Sequence, residues 1–292
     1  MKRSIAPLAL LSLVLCACSP AAPATQSPTS SVTPSSTSAP TTSPTPTPAP
    51  APSPTPTIAT NANCNEIAFY LDPALGTGYI CENLPVNNSP QDLSPAMTRI
   101  TLTGYSQTGS YLSPRINVMS VAAYEALDNI LISGELWVLQ GLLSASTPPP
   151  AYGTNGSGWV PPILPIGGGM PSFFAQYGLV PFVDGSGIRF LTLLTFEAQP
   201  INNNDMFYTY QGLTSDGQYW VSAFLPIHNT ALVANGSTLP AGYATWNDFW
   251  TGTGYDAHIT GTVATLNTQP PGTFDTLIED LDDLVSSITF VP

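Results

Sequence analysis

Gly187–Ile227 reads GIRFLTLLTFEAQPINNNDMFYTYQGLTSDGQYWVSAFLPI, and it constrains the fold more than any other stretch. Three runs in it, Ile188–Ala198, Asp205–Leu213 and Gln218–Pro226, are rich in β-branched and aromatic residues and are bounded by Gly, Pro, Asn and Asp, which predicts strands. Phe207, Thr209 and Gln211 alternate with Met206, Tyr208 and Tyr210; Trp220, Ser222 and Phe224 alternate with Tyr219, Val221, Ala223 and Leu225. Neither face is purely polar, so the sheet is expected to be covered on both sides. Thr214-Ser215-Asp216-Gly217 suits a type I turn closed by a left-handed glycine. Asp184-Gly185-Ser186-Gly187 reads as a second hairpin turn, after a strand at Phe174–Val183. Four consecutive antiparallel strands are therefore expected between Phe174 and Pro226.

The N-terminus cannot join such a core. Lys2 and Arg3 precede an apolar run, Ile5–Leu15, that is too short to span a bilayer and has the form of a secretory signal. Leu15-Cys16-Ala17-Cys18 resembles a bacterial lipobox. The resemblance implies cleavage after Ala17, lipidation of Cys18 and a membrane anchor on the extracytoplasmic face of the cell envelope. Ser19–Thr60 is almost entirely Pro, Thr, Ser and Ala; it has no apolar periodicity and reads as a disordered linker. In polyproline II form it would reach at most ~130 Å. The expected organisation is a signal peptide at 1–17, a lipidated cysteine and linker at 18–60, and one globular domain at 61–292.

Beyond Cys18 the basic residues are Arg99, Arg115 and Arg189, against 18 Asp and Glu, a formal charge of −15. That balance repels phosphate backbones and argues against nucleic-acid binding. Lys2 is the sole lysine, so Schiff-base and P-loop chemistry have no residue to use after processing. Cys64 and Cys81 are the remaining cysteines, and in an exported chain they are expected to form a disulfide. Without a CxxC pair or further ligands nearby, no redox or metal role attaches to them, and no cofactor is expected.

Around that sheet, Thr98–Tyr105 reads as a strand with Ser113–Met119 as its extended partner. Ser120 is expected to cap a helix carrying Val121, Tyr124, Leu127, Ile130 and Leu131, interrupted at Gly134 and resumed at Glu135–Leu143. Tyr243–Trp250 reads as a short aromatic helix with Trp246, Phe249 and Trp250 on one side, either core or a binding surface. Asp256–Thr268 is assigned to one more strand. Thr273 is expected to cap a last helix whose stripe is Leu277, Leu281, Leu284 and Ile288, with Ile278 and Val285 beside it. The fold class is α+β: a mostly antiparallel sheet of about five to seven strands packed with two main helical regions, Ser120–Leu143 and Thr273–Ser287.

PRINVMSVAAYEAL, GSGIRFLT, PINNNDMFYTYQGLTSDGQYWVSAFLPI and LDDLVSSITF resemble, over most of Cys64–Phe290, a family of uncharacterised exported bacterial proteins, often lipoproteins. That resemblance implies export and carries no activity, cofactor or catalytic residue. The closing helix followed by Ser287-Ile288-Thr289-Phe290 is similar to small α+β domains of the PsbP-like type, which concerns fold alone.

Three functions fit these residues. The leading one is a non-catalytic binding module for a protein or glycan partner in the envelope. A small-molecule or calcium-binding lipoprotein is the second; Asp275, Glu279, Asp280, Asp282 and Asp283 concentrate carboxylates, without the spacing of an EF-hand. An envelope hydrolase acting through two carboxylates is the third, with Glu66, Glu125, Glu135 and Glu197 the less clustered glutamates. Ser106 in GYSQT departs from a nucleophile elbow, and His228 and His258 have no neighbours at metal-ligand spacing.

Overall fold

The computed structural model describes residues 60–89, 93–107, 112–145, 148–152, 159–165 and 169–291. The signal segment, Cys18 and the linker up to residue 59 lie outside the described residues.

The centre of the fold is a seven-stranded antiparallel sheet. Its strands are β1 (Gly78–Leu84), β2 (Met97–Thr103), β3 (Arg115–Ser120), β4 (Ala175–Phe182), β5 (Gly185–Thr192), β6 (Phe207–Thr214) and β7 (Tyr219–Pro226). Their spatial order is β1-β2-β3-β7-β6-β5-β4. Two meanders thus meet at the β3–β7 seam, where Val221 pairs with Val118 and Ala223 with Ile116. The connection from β3 to β4 carries the chain from the middle of the sheet to its far edge.

The expected four-strand run is present, with boundaries shifted by up to six residues: the second strand starts three residues earlier and ends six earlier, and the others move by two residues or fewer. Gly217 closes the β6–β7 turn at φ +70°, and Asp216 Oδ1 accepts from Thr214 Oγ1 (2.6 Å) and from the Gln218 amide (3.0 Å). The β4–β5 turn is shorter than the sequence suggests: Phe182 pairs with Gly185, so only Val183 and Asp184 lie outside the ladder. Gly187 and Gly212 stay in the strands, because the Tyr210 ring lies across both and a Cβ at either would collide with it.

Both faces of the sheet are covered, as the mixed alternation predicts. Five helices are present in the described residues: α1 (Val121–Glu125), α2 (Ile130–Ser144), α3 (Trp246–Trp250), α4 (Gly254–Thr268) and α5 (Ile278–Ser286). One core joins Tyr208, Tyr210, Val221 and Leu225 of the sheet to Ile259, Val263 and Leu266 of α4 and Ile278, Leu281, Leu284 and Val285 of α5. The other joins Phe190, Phe207, Trp220 and Phe224 to Tyr124 of α1 and Ile132, Leu136 and Leu139 of α2.

Several helical expectations are corrected. The stretch assigned to a strand at Asp256–Thr268 is helix α4; Ile259, Val263 and Leu266 are its buried residues, an i, i+4, i+7 spacing that only a helix puts on one face. Ser120 does cap α1, accepting from the Ala123 amide at 3.3 Å. The break that follows falls at Ala126–Asn129 rather than at Gly134. Asn129 starts α2 by accepting from the Leu131 amide, and the helix runs through Gly134, leaving Ile130 and Leu131 exposed. Thr273 belongs to a 3₁₀ turn, Pro271–Thr273, and α5 begins only at Ile278 with Leu277 at its N-cap and partly exposed.

Cys64 and Cys81 form a disulfide with their Cα atoms 5.6 Å apart. It joins a small sheet, Ala62–Cys64, Ile67–Phe69 and Thr289–Phe290, to β1. Closing this 17-residue separation is worth ~3 kcal/mol in a chain-entropy account. The chain's two ends of the domain are thereby fastened to one edge of the sheet.

Candidate functional site

Between the β5–β6 connection and α3 lies a cleft of about 480 Å³ bordered by Glu197, Gln199, Asn204, Asp205, Asn235, Gly236, Trp246 and Trp250. Its aromatic wall is built by local rules. Thr245 and Asp248 form a capping box: Thr245 Oγ1 accepts from the Asp248 amide (3.2 Å), and Asp248 Oδ2 accepts from the Thr245 amide (2.9 Å). This holds one short turn of helix in which Trp246 and Trp250, four residues apart, stack with ring centroids 5.8 Å apart and planes 12° apart. Phe249 lies beneath them, fully buried, and meets Tyr243, Trp246, Trp250, Tyr255 and His258 edge to face at 4.4–5.8 Å. Trp250 remains 44% exposed.

The opposite wall is an amide-rich loop with little freedom. The Asn203 and Asn204 backbone amides donate to the Val233 and Ala234 carbonyls, which ties the loop to the segment that follows β7. Asn202, fully buried, donates to the Pro200 carbonyl and to Asp205 Oδ2. Asp205 also accepts from Gln199 Nε2 (3.2 Å) and Asn204 Nδ2 (2.8 Å), so both of its oxygens are occupied by amide donors. Gly236 lets the Asn235 turn approach Gln199 Oε1, which a Cβ would abut. Asn235 Oδ1 caps that turn by accepting from the Ser237 amide. The Glu197 carboxylate is exposed, and neither Lys nor Arg is among the described residues that border the cleft.

His258 couples the two walls. Its Nε2 accepts from the Ile201 amide at 3.3 Å, which fixes the neutral tautomer protonated at Nδ1, and Phe249 lies against its ring. Burial pushes the imidazole below its usual value of 6.5. A base whose folded value is depressed leaves the unfolded state binding more protons, so stability is complete above about pH 6.5 and falls as pH drops through the window below it. Burial lowers His228 as well, so thermal unfolding between pH 5 and 8 should show Tm declining on the acid side of about 6.5 through both imidazoles, and His258→Gln should make that decline shallower above the carboxylate range. An unchanged profile in the variant would remove His258 from this role.

The remaining sequence candidates fall elsewhere. Of Glu66, Glu125, Glu135 and Glu197, only Glu197 borders this cleft. Burial raises the Glu135 carboxyl on α2. Ser106 Oγ meets Thr276 Oγ1 at 3.3 Å, while His228 pairs in register with Asp275; the hydroxyl and the imidazole share a neighbourhood without a hydrogen bond between them. The acidic run is divided: Asp282 turns inward to Arg189 and Tyr208, whereas Asp280 and Asp283 border a cavity of about 260 Å³ with Asp72. Among the described residues no group of three or more His, Cys, Asp or Glu is arranged to hold a metal ion.

The aromatic half of the cleft is the half that sequence periodicity singles out. The sequence reading assigns Asp205 to the start of a strand and singles out none of Gln199, Asn204 and Asn235; the signal they carry is the density of amides in PINNND and ANGS. No protein-family model, curated protein or solved structure matches the chain.

Proposed function

We propose that the protein is a lipid-anchored, extracytoplasmic, non-catalytic module that holds a neutral glycan of the cell envelope in the Trp246–Trp250 cleft. One observation carries this reading: a stacked indole pair on a capped turn, Trp250 exposed and Trp246 half-buried, borders a cleft with a ring of amides and the exposed Glu197 carboxylate. Indole faces stack on the C–H faces of pyranose rings, and amide and carboxylate oxygens accept their hydroxyl protons. A chain of formal charge −15 beyond Cys18, with two carboxylates at the cleft, disfavours an anionic polymer. Hydrolysis of a glycosidic bond would need two working carboxylates. Glu197 has its oxygens available; Asp205 is engaged by three amide donors.

The anchor belongs to the same proposal. The basic start, the apolar run, Cys18 and the Pro/Thr-rich linker are what an exported lipoprotein needs to stand a domain off a membrane, in keeping with the likeness to exported bacterial lipoproteins and, in fold, to PsbP-like domains. No helix of the described residues is long and apolar enough to cross a membrane. Cys18→Ala should move the protein from the detergent-extracted to the soluble fraction; continued detergent dependence would overturn the anchor. Trp250→Ala should weaken retention of the intact protein on insoluble envelope glycan by about 2 kcal/mol, or about 30-fold in Kd. Undiminished retention would overturn the cleft as its binding site.

A further inference from the structure

Helix α2 is apolar on both sides. Ile132, Leu136 and Leu139 are its buried residues and face the sheet. On the outer side Ile130, Leu131 and Trp137 are 84, 63 and 75% exposed. Exposed helix faces are ordinarily polar. Glu135 is the one charged residue in α2, and it sits half-buried on the flank with its carboxyl raised by burial. Gly134 and Gly141 lie on the outer face as well, both exposed, and a Cβ on either would meet nothing within 4 Å. Alanine would fit the fold at both positions and favour the helix. The chain's own packing therefore does not require these glycines.

Ile130, Gly134, Trp137 and Gly141 recur at i, i+4, i+7 and i+11, which sets them on one line along the helix. Large and absent side chains alternate along that line, and it is complementary to itself in one arrangement. In a parallel pair each position meets its own copy, so Trp137 would abut Trp137 and glycine would face glycine. In an antiparallel pair centred between Glu135 and Leu136, Ile130 of one copy meets Gly141 of the other, and Trp137 of one meets Gly134 of the other. Each large side chain then enters the space above a glycine, and a twofold axis makes every contact twice. The three exposed side chains present on the order of 400–500 Å² of apolar surface. Counted on both copies together with the glycines and Val138 between them, the pair would bury about 1,200 Å², the lower end for a specific interface. Charge agrees. A chain of formal charge −15 beyond Cys18 meets its own copy with least repulsion over an uncharged face. A bilayer is a poorer occupant, because interfacial helices carry Lys or Arg beside their apolar face and α2 has neither.

We propose that the outer face of α2 is the interface of a homodimer, in which the two copies of the helix pack antiparallel with Ile130 and Trp137 of each over Gly141 and Gly134 of the other. The surface is separate from the Trp246–Trp250 cleft and does not depend on what binds there.

The test is sedimentation equilibrium of the purified full-length chain, in one nonionic detergent for every variant. The chain should show a monomer–dimer equilibrium with a Kd on the order of 10 μM, in keeping with a small interface. Trp137→Glu should weaken it by about 100-fold or more and leave the domain folded, because the side chain is exposed. Gly141→Leu should weaken it by about tenfold or more, although leucine adds apolar surface and helix propensity; a merely adhesive face would associate more strongly. Ile130→Cys and Gly141→Cys chains, mixed and oxidised, should form an intermolecular disulfide. Ile130→Cys alone should not, since the antiparallel register sets its two copies about 16 Å apart along the helix axis. A chain that stays monomeric up to about 1 mM, an equilibrium unchanged by Trp137→Glu, unchanged or tighter association of Gly141→Leu, or crosslinking of Ile130→Cys to itself rather than to Gly141→Cys would each overturn the proposal. Trp250→Ala should leave the equilibrium unchanged, and a loss of dimer there would move the interface to the aromatic cleft.

Discussion

Replacing Phe249 with alanine is expected to cost about 3–5 kcal/mol of stability and to dissolve the glycan cleft with it. The side chain is fully buried, and five aromatic rings rest on its edges and faces. Removing it leaves a void that those rings can fill only by giving up their present geometry. Trp246 and Trp250 would lose the surface that holds them parallel, and His258 would lose a neighbour that keeps water from its imidazole. Urea unfolding followed by tryptophan fluorescence reads the loss directly. Trp250→Ala is the control: the side chain is 44% exposed, so its removal should cost no more than about 1 kcal/mol while abolishing the platform. A Phe249→Ala protein with a loss below about 1 kcal/mol would mean that the aromatic group is a surface ornament rather than a packed unit.

This contrast also explains what the sequence could and could not report. The strands between Ala175 and Pro226 were legible because each is a local pattern, alternation bounded by turn residues, and Gly217 stands where the turn needs a positive φ. The aromatic turn at Trp246–Trp250 was legible for the same reason. Helix α4 was not. Thr260, Thr262, Thr265, Thr268 and Gly261 give it low helix propensity, and the β-branched Ile259 and Val263 mimic a strand. Its helical state is decided by partners about ninety positions away. At a bulge in β4, Gln176 takes φ +53° and turns its side-chain amide onto the Leu266 and Gln269 carbonyls at the C-terminal end of α4, at 2.7 and 2.9 Å. Its backbone amide meets Asn267 Oδ1 at 2.7 Å. Nothing near residue 260 announces Gln176. The amide wall of the cleft escaped reading for a related reason: Asn202–Asn204 look like an ordinary connection until Val233 and Ala234 are folded against them. The start of α5 was misplaced because Thr273 and Asp275 have the right chemistry for a helix start, and a two-residue strand paired with His228–Asn229 claims Phe274 and Asp275 first.

Arg189→Met is expected to cost about 3 kcal/mol at neutral pH. Arg189 Nε lies 3.3 Å from both carboxylate oxygens of Asp282, and Nη1 donates to the carbonyl of Gln176, so one guanidinium joins β5, α5 and the bulge that caps α4. Tyr208, fully buried, donates its hydroxyl to Asp282 Oδ1 at 2.9 Å. Burial already holds the Asp282 carboxyl above its usual value, more strongly than Arg189 and Tyr208 pull it down. Without Arg189 that imbalance grows. A carboxyl raised in the folded state contributes stability below its unfolded value and loses it as pH rises through its folded value. The deficit of Arg189→Met should therefore be larger at pH 7 than near pH 4, which denaturant titrations at the two pH values would measure. A deficit independent of pH would assign the effect to lost packing and the Gln176 contact instead. The double variant Arg189→Met, Asp282→Asn separates these causes further. Asparagine keeps an acceptor for Tyr208 and removes the stranded charge, so most of the loss at pH 7 should return. If it does not, the ion pair is incidental and Arg189 acts through Gln176, the residue on which α4, and with it one wall of the fold, depends.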